Sequence, residues 1–545
     1  MSWDPAEFTG KLSVAADAFD RPEVARLSEA LIAHLNNRVG LYPEADAVKV
    51  LGILRRKRHF ELLQRVADAF LQSGQMSPPV RRQYAQALIE RGPGHWTAAV
   101  AVLQDLVAGT AADPEENAEA RGLLGRVYKQ LYLAGGPAAR RRRILERSVA
   151  AYLDVYRSAP EVHLWHGINA VALLARGRRD GVTLDGAPDP AAIAQEILQT
   201  IEDLDQEGTI MYWELATAAE ACVALGRTEK ALWWILRYVD APGADAFELA
   251  STLRQLTEVW RLDDVNDPGA KLLPLLRSQL LQREGGQVEV KPSELPASVE
   301  RLDRQDTVEG GLEKVFGFEK SVALRWYRTG LDRCRAVGRV ESRTGKGFGT
   351  GFLVRGGDLH PRFGDELLLL TNAHVLSNDP QVQSTFGSRH TEAALVTFEV
   401  LGTEHEVAEQ LWTSPPWELD ATLVRLTPGI QAQGRPFSLA PGPIPTADGK
   451  LRVYVIGHPS GRSLEISLHD STLLDCEDPK VHYRTPTEPG SSGSPVFNED
   501  WDLVALHHAG RDDMPRLRKQ PGTYAANEGI WIQSIVRKLR EVWGT

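Results

Sequence analysis

Positive charge in excess is the first thing this 545-residue chain lacks. It carries 62 Lys and Arg against 73 Asp and Glu, a formal net charge of −11. A general binder of nucleic acid or membrane surface is basic overall, so neither is expected as a partner. Cysteine is scarce too: Cys222, Cys334 and Cys476 lie far apart, with no C-x-x-C pair. That argues against a disulfide framework and against the common zinc sites, and it fits a reducing compartment. No apolar run approaches the roughly 20 residues that span a bilayer. The opening "MSWDPAEFTG" lacks the basic stretch and apolar core of a secretion signal. No P-loop, Rossmann glycine fingerprint or paired metal ligands are found. The expectation is a cytoplasmic chain with no cofactor and no metal.

What is present divides into two textures. The length and the 43% hydrophobic content allow several buried cores. From about residue 20 to 285 the pattern is helical: "AAIAQEILQTIEDL" and "ALWWILRYV" repeat apolar residues at i, i+3, i+4 and i+7. The breaks are short and carry Gly or Pro, as in "LIERGPGHW" and "VDAPGADA". Helix pairs with short turns predict a repeat stack over 1–285. Leu124-Gly125 followed by Tyr128, then "SVAAYLDVYRSAP" closing on Pro160 with Tyr152 and Tyr156 inward, fit the tetratricopeptide pattern. "VALGRTEKALWW" fits a second turn and helix. The small residues let helices cross closely and the aromatics fill the gap to the next repeat. The run Arg140–Arg143 reads as a solvated loop, the alternative being a contact with an anionic partner.

"LLGRVYKQ", "AAYLDVYRSAP" and "HGINAVALLARG" together resemble the tetratricopeptide-type domain known as the TRAF-binding region of mitogen-activated kinase kinase kinases. The resemblance implies a scaffold or sensor that binds a protein partner. A plain helical core is the alternative.

Between about 286 and 310 the chain turns polar and aperiodic, and "GGLEKVFGFEKSVALRWYRTGLDRC" then predicts one or two short helices, so 286–334 is assigned as linker and short helices. Beyond 335 come short β-rich runs bounded by turn residues: "RAVGRVES", "GTGFLVRG", "ELLLLTNAHVL", "AALVTFEVL", "ATLVRL", "LRVYVIGHP" and "DLVALHHAG". "IWIQSIVRKLREVW" reads as a closing amphipathic helix.

The stretch "TEPGSSGSPVF" reads as a turn that presents a hydroxyl. A serine is a weak nucleophile until a base takes its proton, and the oxyanion it creates needs backbone N–H donors. Gly490-Ser491-Ser492-Gly493-Ser494-Pro495 resembles the G-x-S-G-G/S-P signature of trypsin-like, chymotrypsin-fold serine peptidases. That resemblance makes Ser492 the nucleophile and the amides of Gly490 and Ser492 the oxyanion hole, with Ser491 and Ser494 structural. "LLLLTNAHVL" places His374 as base, and "ELDATLVRL" places Asp420 as the carboxylate that orients it. The order His, Asp, Ser at separations of about 46 and about 72 residues suits one double-barrel domain. "GTGFLV", "VIGHPSG" and "VALHHAG" match further strands and turns of bacterial members. The implied fold is multidomain: a helical-repeat solenoid, then an all-β double-barrel peptidase domain at 335–545.

"TEPGSSGSPVFNEDWDLVALHHAG" is most similar to the glutamyl endopeptidase branch, which implies that Thr487 and His507 bind an acidic substrate side chain. The alternative is that His507 and His508 pack beside the cleft. Two departures stand out: Ser491 occupies the place of the Asp that pairs with a freed N-terminus in secreted zymogens, and more than 300 residues precede the domain. The functional expectation is a regulated serine endopeptidase acting on a protein substrate, its repeats binding a partner or sensing a signal. Fusions of this kind resemble effectors of bacterial defence and antiviral systems. The alternatives are a catalytically silent scaffold and a quality-control protease.

Overall fold

The computed structural model describes residues 3–17, 21–37, 41–283, 318–430, 435–442, 451–467, 472–485 and 490–544. The chain forms two compact units, Met1–Leu276 and Arg277–Thr545. The expected linker at 286–310 lies outside the described residues. No described helix is long and apolar enough to cross a membrane.

The first unit is helical throughout, and its boundary with the second falls within the last of the helices named next. Its helices are α1 (Pro5–Asp17), α2 (Arg21–Asn36), α3 (Glu44–Arg56), α4 (Phe60–Gln72), α5 (Pro78–Glu90), α6 (Trp96–Gly109), α7 (Pro114–Leu133), α8 (Ala138–Ser158), α9 (Leu164–Arg179), α10 (Pro190–Glu207), α11 (Tyr212–Ala224), α12 (Thr228–Asp240), α13 (Ala246–Arg254) and α14 (Gly269–Gln282). From α4 to α12 each helix packs on the next, the arrangement of a helical-repeat stack. Local chemistry sets the ends. Asp113 caps α7 by accepting from Glu116 N at 3.1 Å, with Pro114 in the first turn, and α10 stops at Gly208 in the left-handed region.

Close crossings explain the glycine–aromatic spacing. A Cβ at Gly125 would sit 2.7 Å from the Tyr152 ring, and one at Gly167 would sit 2.6 Å from Tyr156. Tyr128, Tyr152 and Tyr156 are all buried. The arginine run differs from expectation: Arg140–Arg143 lie in the first turns of α8. Arg141 pairs with Asp180 at 2.7 Å and stacks on Tyr132, and Arg142 meets Asp185 at 2.5 Å. Acidic partners on the far side of the helix hairpin let these arginines extend the helix instead of the loop.

Among the described residues of the second unit, helix α15 (Phe318–Arg333) precedes the β structure and docks on it through Trp326. The Trp326 indole donates to Glu499 O at 2.7 Å, and Trp501 donates back to Trp326 O at 2.9 Å. Then come β1 (Val337–Ser342), β2 (Gly347–Arg355), β3 (Leu367–Thr371), β4 (Ala394–Phe398), β5 (Thr403–Ser414) and β6 (Ala421–Leu426), closed as a barrel in the order β1-β2-β3-β6-β5-β4. A seven-stranded antiparallel sheet follows: β7 (Tyr454–Gly457), β8 (Glu465–Ser467), β9 (Leu473–Glu477), β10 (Lys480–Tyr483), β11 (Pro495–Phe497), β12 (Leu503–Pro515) and β13 (Thr523–Trp531), ordered β8-β7-β11-β12-β13-β10-β9. Helix α16 (Ile532–Trp543) ends the unit, beginning two residues later than its sequence pattern because Ile530 and Trp531 belong to β13. Alternation along β3 is absent: all five residues are buried, as its position between β2 and β6 requires.

Candidate active site

His374 follows β3 and Asp420 immediately precedes β6, so the pairing of those strands brings the two together. Asp420 is fully buried and sits at φ 43°, a backbone strain of the kind that collects at functional sites. Contacts with Asn372 and His374 help to hold it. Its backbone carbonyl accepts from Asn372 Nδ2 at 2.8 Å, Oδ1 accepts from His374 N at 2.9 Å, and Oδ2 faces His374 Nδ1 at 2.6 Å. Burial by itself would push this carboxyl up. The hydrogen bonds from His374 and His508 outweigh it and hold the group well below the usual carboxylate range. An ionised Asp420 beneath Nδ1 fixes the tautomer whose proton sits there, leaving Nε2 of His374 as the base.

The turn carrying Ser492 is held by Thr350, a fully buried residue of β2. Thr350 N donates to Ser492 O at 2.8 Å, and its hydroxyl donates to Gly490 O at 3.2 Å. Gly490 and Gly493 have φ of 97° and 87°. At Gly493 no side chain fits, since a Cβ would lie 1.9 Å from Thr350 O. Gly493 N donates to His507 O, and Ser494 N donates to Ser491 O. Among the described residues the amides of Gly490 and Ser492 donate to nothing. Two such uncommitted N–H groups flanking a serine are what an oxyanion requires. Among the described residues, Ser492 Oγ and His374 Nε2 also make no hydrogen bond, so the structure brings His374 and Asp420 together without closing the step from base to nucleophile.

His507 on β12 is 3% exposed, with its Nδ1 2.6 Å from the Tyr483 hydroxyl. Burial pushes its imidazole down to about 3, so it is neutral at ordinary pH. Thr487 lies outside the described residues.

The sequence places His508 only beside the cleft, with no role on Asp420. Its Nδ1 shares Asp420 Oδ2 at 2.6 Å, and its Nε2 lies 3.4 Å from Glu528 Oε1. Glu528 in turn accepts from His482 Nε2 at 2.9 Å and pairs with Lys480 at 3.0 Å, while Tyr524 lies 2.7 Å from His482 Nδ1. Burial raises Glu528, but His482 and Lys480 overcome it and bring it down to about 2. The one sequence signal was the doublet His507-His508: on a strand, neighbours face opposite sides, so only one of them can point at Asp420.

His374, Asp420 and His508 are also the described residues whose donor atoms cluster closely enough to consider a metal. The 2.6 Å spacings from both Nδ1 atoms to Oδ2 are hydrogen-bond distances. Two ligands about 2.0–2.2 Å from a tetrahedral zinc stand farther apart than that.

A family model described as a trypsin-like peptidase domain matches residues 349–506, which contain His374, Asp420 and Ser492. The chain carries a trypsin-like peptidase domain. A second model, of tetratricopeptide repeats of the sensor kind, matches residues 56–174, from the end of α3 into α9. Among curated proteins the chain is similar to the uncharacterized protein y4fB of Sinorhizobium fredii, at 31% identity over 223 residues, 37% of this chain and 32% of that one. It is also similar to secreted RxLR effector protein 73 of Plasmopara viticola, at 28% identity over 237 residues, 39% of this chain and 55% of that one. The chain therefore spans about a third and about half of these relatives. Similar solved structures include the inactive form of the Rv3671c protease of M. tuberculosis H37Rv, at 15% identity and TM-score 0.27 over 39% of this chain and 91% of that one. A human pathogenic astrovirus serine protease is similar at 19% identity and TM-score 0.23, over 36% and 90%.

Proposed function

We propose that this chain is a serine endopeptidase working through His374, Asp420 and Ser492. The reading rests chiefly on the ionised Asp420 beneath His374 Nδ1, in the same unit as a serine turn with two free amides. Ser492 Oγ attacks the substrate carbonyl as its proton passes to His374 Nε2. The tetrahedral oxyanion accepts from Gly490 N and Ser492 N. Collapse of the intermediate expels the amine, which takes the proton from His374. A water molecule activated by the same nitrogen then hydrolyses the acyl-enzyme. Asp420 stays ionised throughout and stabilises the imidazolium.

Cleavage after acidic residues is the specificity we propose. With the Tyr483 hydroxyl donating to Nδ1, His507 carries its proton on Nε2 and is a donor for a carboxylate, assisted by Thr487. The open step between Ser492 and His374 favours regulation: the helical unit binds a protein partner or senses a signal, and the site closes when it is engaged. The three cysteines are free, consistent with a reducing cytoplasm and with a role in cellular defence by cutting a partner protein.

The test is a diverse peptide library digested by the wild-type chain and by Ser492→Ala, with cut sites read by mass spectrometry. Cuts after Glu and Asp in the wild type alone support both the triad and the pocket. Cuts after other residues in the wild type alone keep the triad and remove the acidic pocket. Cutting that survives Ser492→Ala removes the triad.

A further inference from the structure

The helical unit holds a cleft of about 500 Å³ between α1, α3 and α5. Its charge is one-sided: Lys49, Arg55, Arg56 and Arg82 line it, and no acidic residue does. Arg82 is partly neutralised from outside the cleft by Glu116 at 2.7 Å and Glu119 at 3.3 Å. Among the described residues Lys49, Arg55 and Arg56 have no ion pair. Arg55 makes only a long contact, 3.4 Å to Gln86, while its Nε is buried with no partner. Burial first, then the neighbouring Arg82 and Arg56, hold its guanidinium below the usual range. A buried orphan donor and crowded like charges are unfavourable in an empty cleft. Gln83 adds a buried acceptor: its Nε2 donates to Val48 O, and its Oε1 is unpaired.

The walls are shaped for an occupant as well. Gly10 and Gly52 sit within helices, where glycine weakens the helix. Packing does not demand either one. A Cβ at Gly10 meets nothing within 4 Å, and one at Gly52 meets only Arg56 Nη1 at 3.8 Å. Both glycines widen the cleft.

The geometry points to this cleft as the binding site for a phosphorylated small molecule of about nucleotide size. The guanidinium groups of Arg55 and Arg56 match phosphate oxygens in pairs, and Lys49 adds a third positive charge on the same wall. The volume lies within the range of small-molecule pockets. This names the class of signal for the sensing role proposed above, and its test does not use peptidase activity, so the two stand or fall separately.

The full chain is titrated calorimetrically with inorganic pyrophosphate, ADP, adenosine and citrate. Pyrophosphate and ADP are expected to bind saturably and adenosine not at all, with affinity falling as salt rises. Arg55→Gln is expected to weaken pyrophosphate binding tenfold or more. Gly10→Leu fills the cleft with a better helix former, and it is expected to abolish binding while leaving the melting temperature unchanged or higher. No binding of pyrophosphate or ADP at about 1 mM overturns the proposal. So does binding that both variants leave intact. Citrate binding as tightly as pyrophosphate overturns the phosphate class.

Discussion

The helical unit and the β unit solve opposite problems. In the first, most contacts join helices that are neighbours in sequence, so a glycine and a tyrosine about 27 residues apart, Gly125 and Tyr152, define a crossing. In the second, the candidate site is assembled from β2, the ends of β3 and β6, the turn before β11, and β12 and β13, which together span some 180 residues. Repeats confine the effect of a change to their neighbourhood. A barrel-and-sheet site concentrates it on a few atoms.

Substitutions sharpen that comparison, and the largest effect is expected at the nucleophile. Ser492→Ala should lower peptide hydrolysis by about 10⁴-fold or more, with the helical unit's melting unchanged. Equal loss of helical stability would break the division into two units. Asp420→Asn should cost about 10⁴-fold in kcat, because the amide no longer enforces the Nδ1–H tautomer of His374. His508→Ala removes one of the two imidazoles on Asp420 Oδ2 and leaves Glu528 to its other partners. The expected loss is about 10–100-fold in kcat with KM little changed. A large rise in KM instead would place His508 in substrate binding.

On the helical side, Gly125→Ala forces a methyl against the Tyr152 ring. It should destabilise the first unit by about 1–3 kcal/mol, by denaturant titration, without touching peptidase activity. A stabilising result would show that α7 and α8 can move apart.

The smallest separation of the two units is in acid. Burial pushes His458 and His507 down to about 4 and about 3, and His405 downward as well. In the helical unit His166 is pushed down to about 4. Below about pH 6.5 the unfolded imidazoles bind protons that the folded ones refuse, so stability falls as pH drops from there towards 4. Asp420 adds a loss only below the usual carboxylate range, since its pKa is depressed. At pH 5 the expected loss is about 2 kcal/mol per buried imidazole at most, larger in total for the β unit. Equal shifts in both units, or none, would contradict these burials.

Legibility followed the same divide. The meeting of His374 with Asp420 was readable because each motif is local and their order is specific, while Ser492 as the nucleophile stands as a proposal. Tyr128, Tyr152 and Tyr156 were readable because helical spacing sets which side is buried. Strand β5, "TEHEVAEQLWTS", was not: acidic residues on its exposed face mask the alternation. Nor was β13, where "AANEG" looks like a turn but Asn527 and Glu528 are buried. Thr350 was read only as part of an early strand, since its clasp on Ser492 and Gly490 spans 140 residues. The contact of His508 with Asp420 was not readable because its partners, Asp420 before β6 and Glu528 in β13, come from distant parts of the chain.

The most direct measurement is labelling of the intact chain with a fluorophosphonate probe, followed by peptide mass spectrometry. A single adduct is expected on Ser492, and it should disappear in His374→Ala. An adduct on another serine, or none at Ser492 under conditions where the chain cleaves peptides, would contradict it.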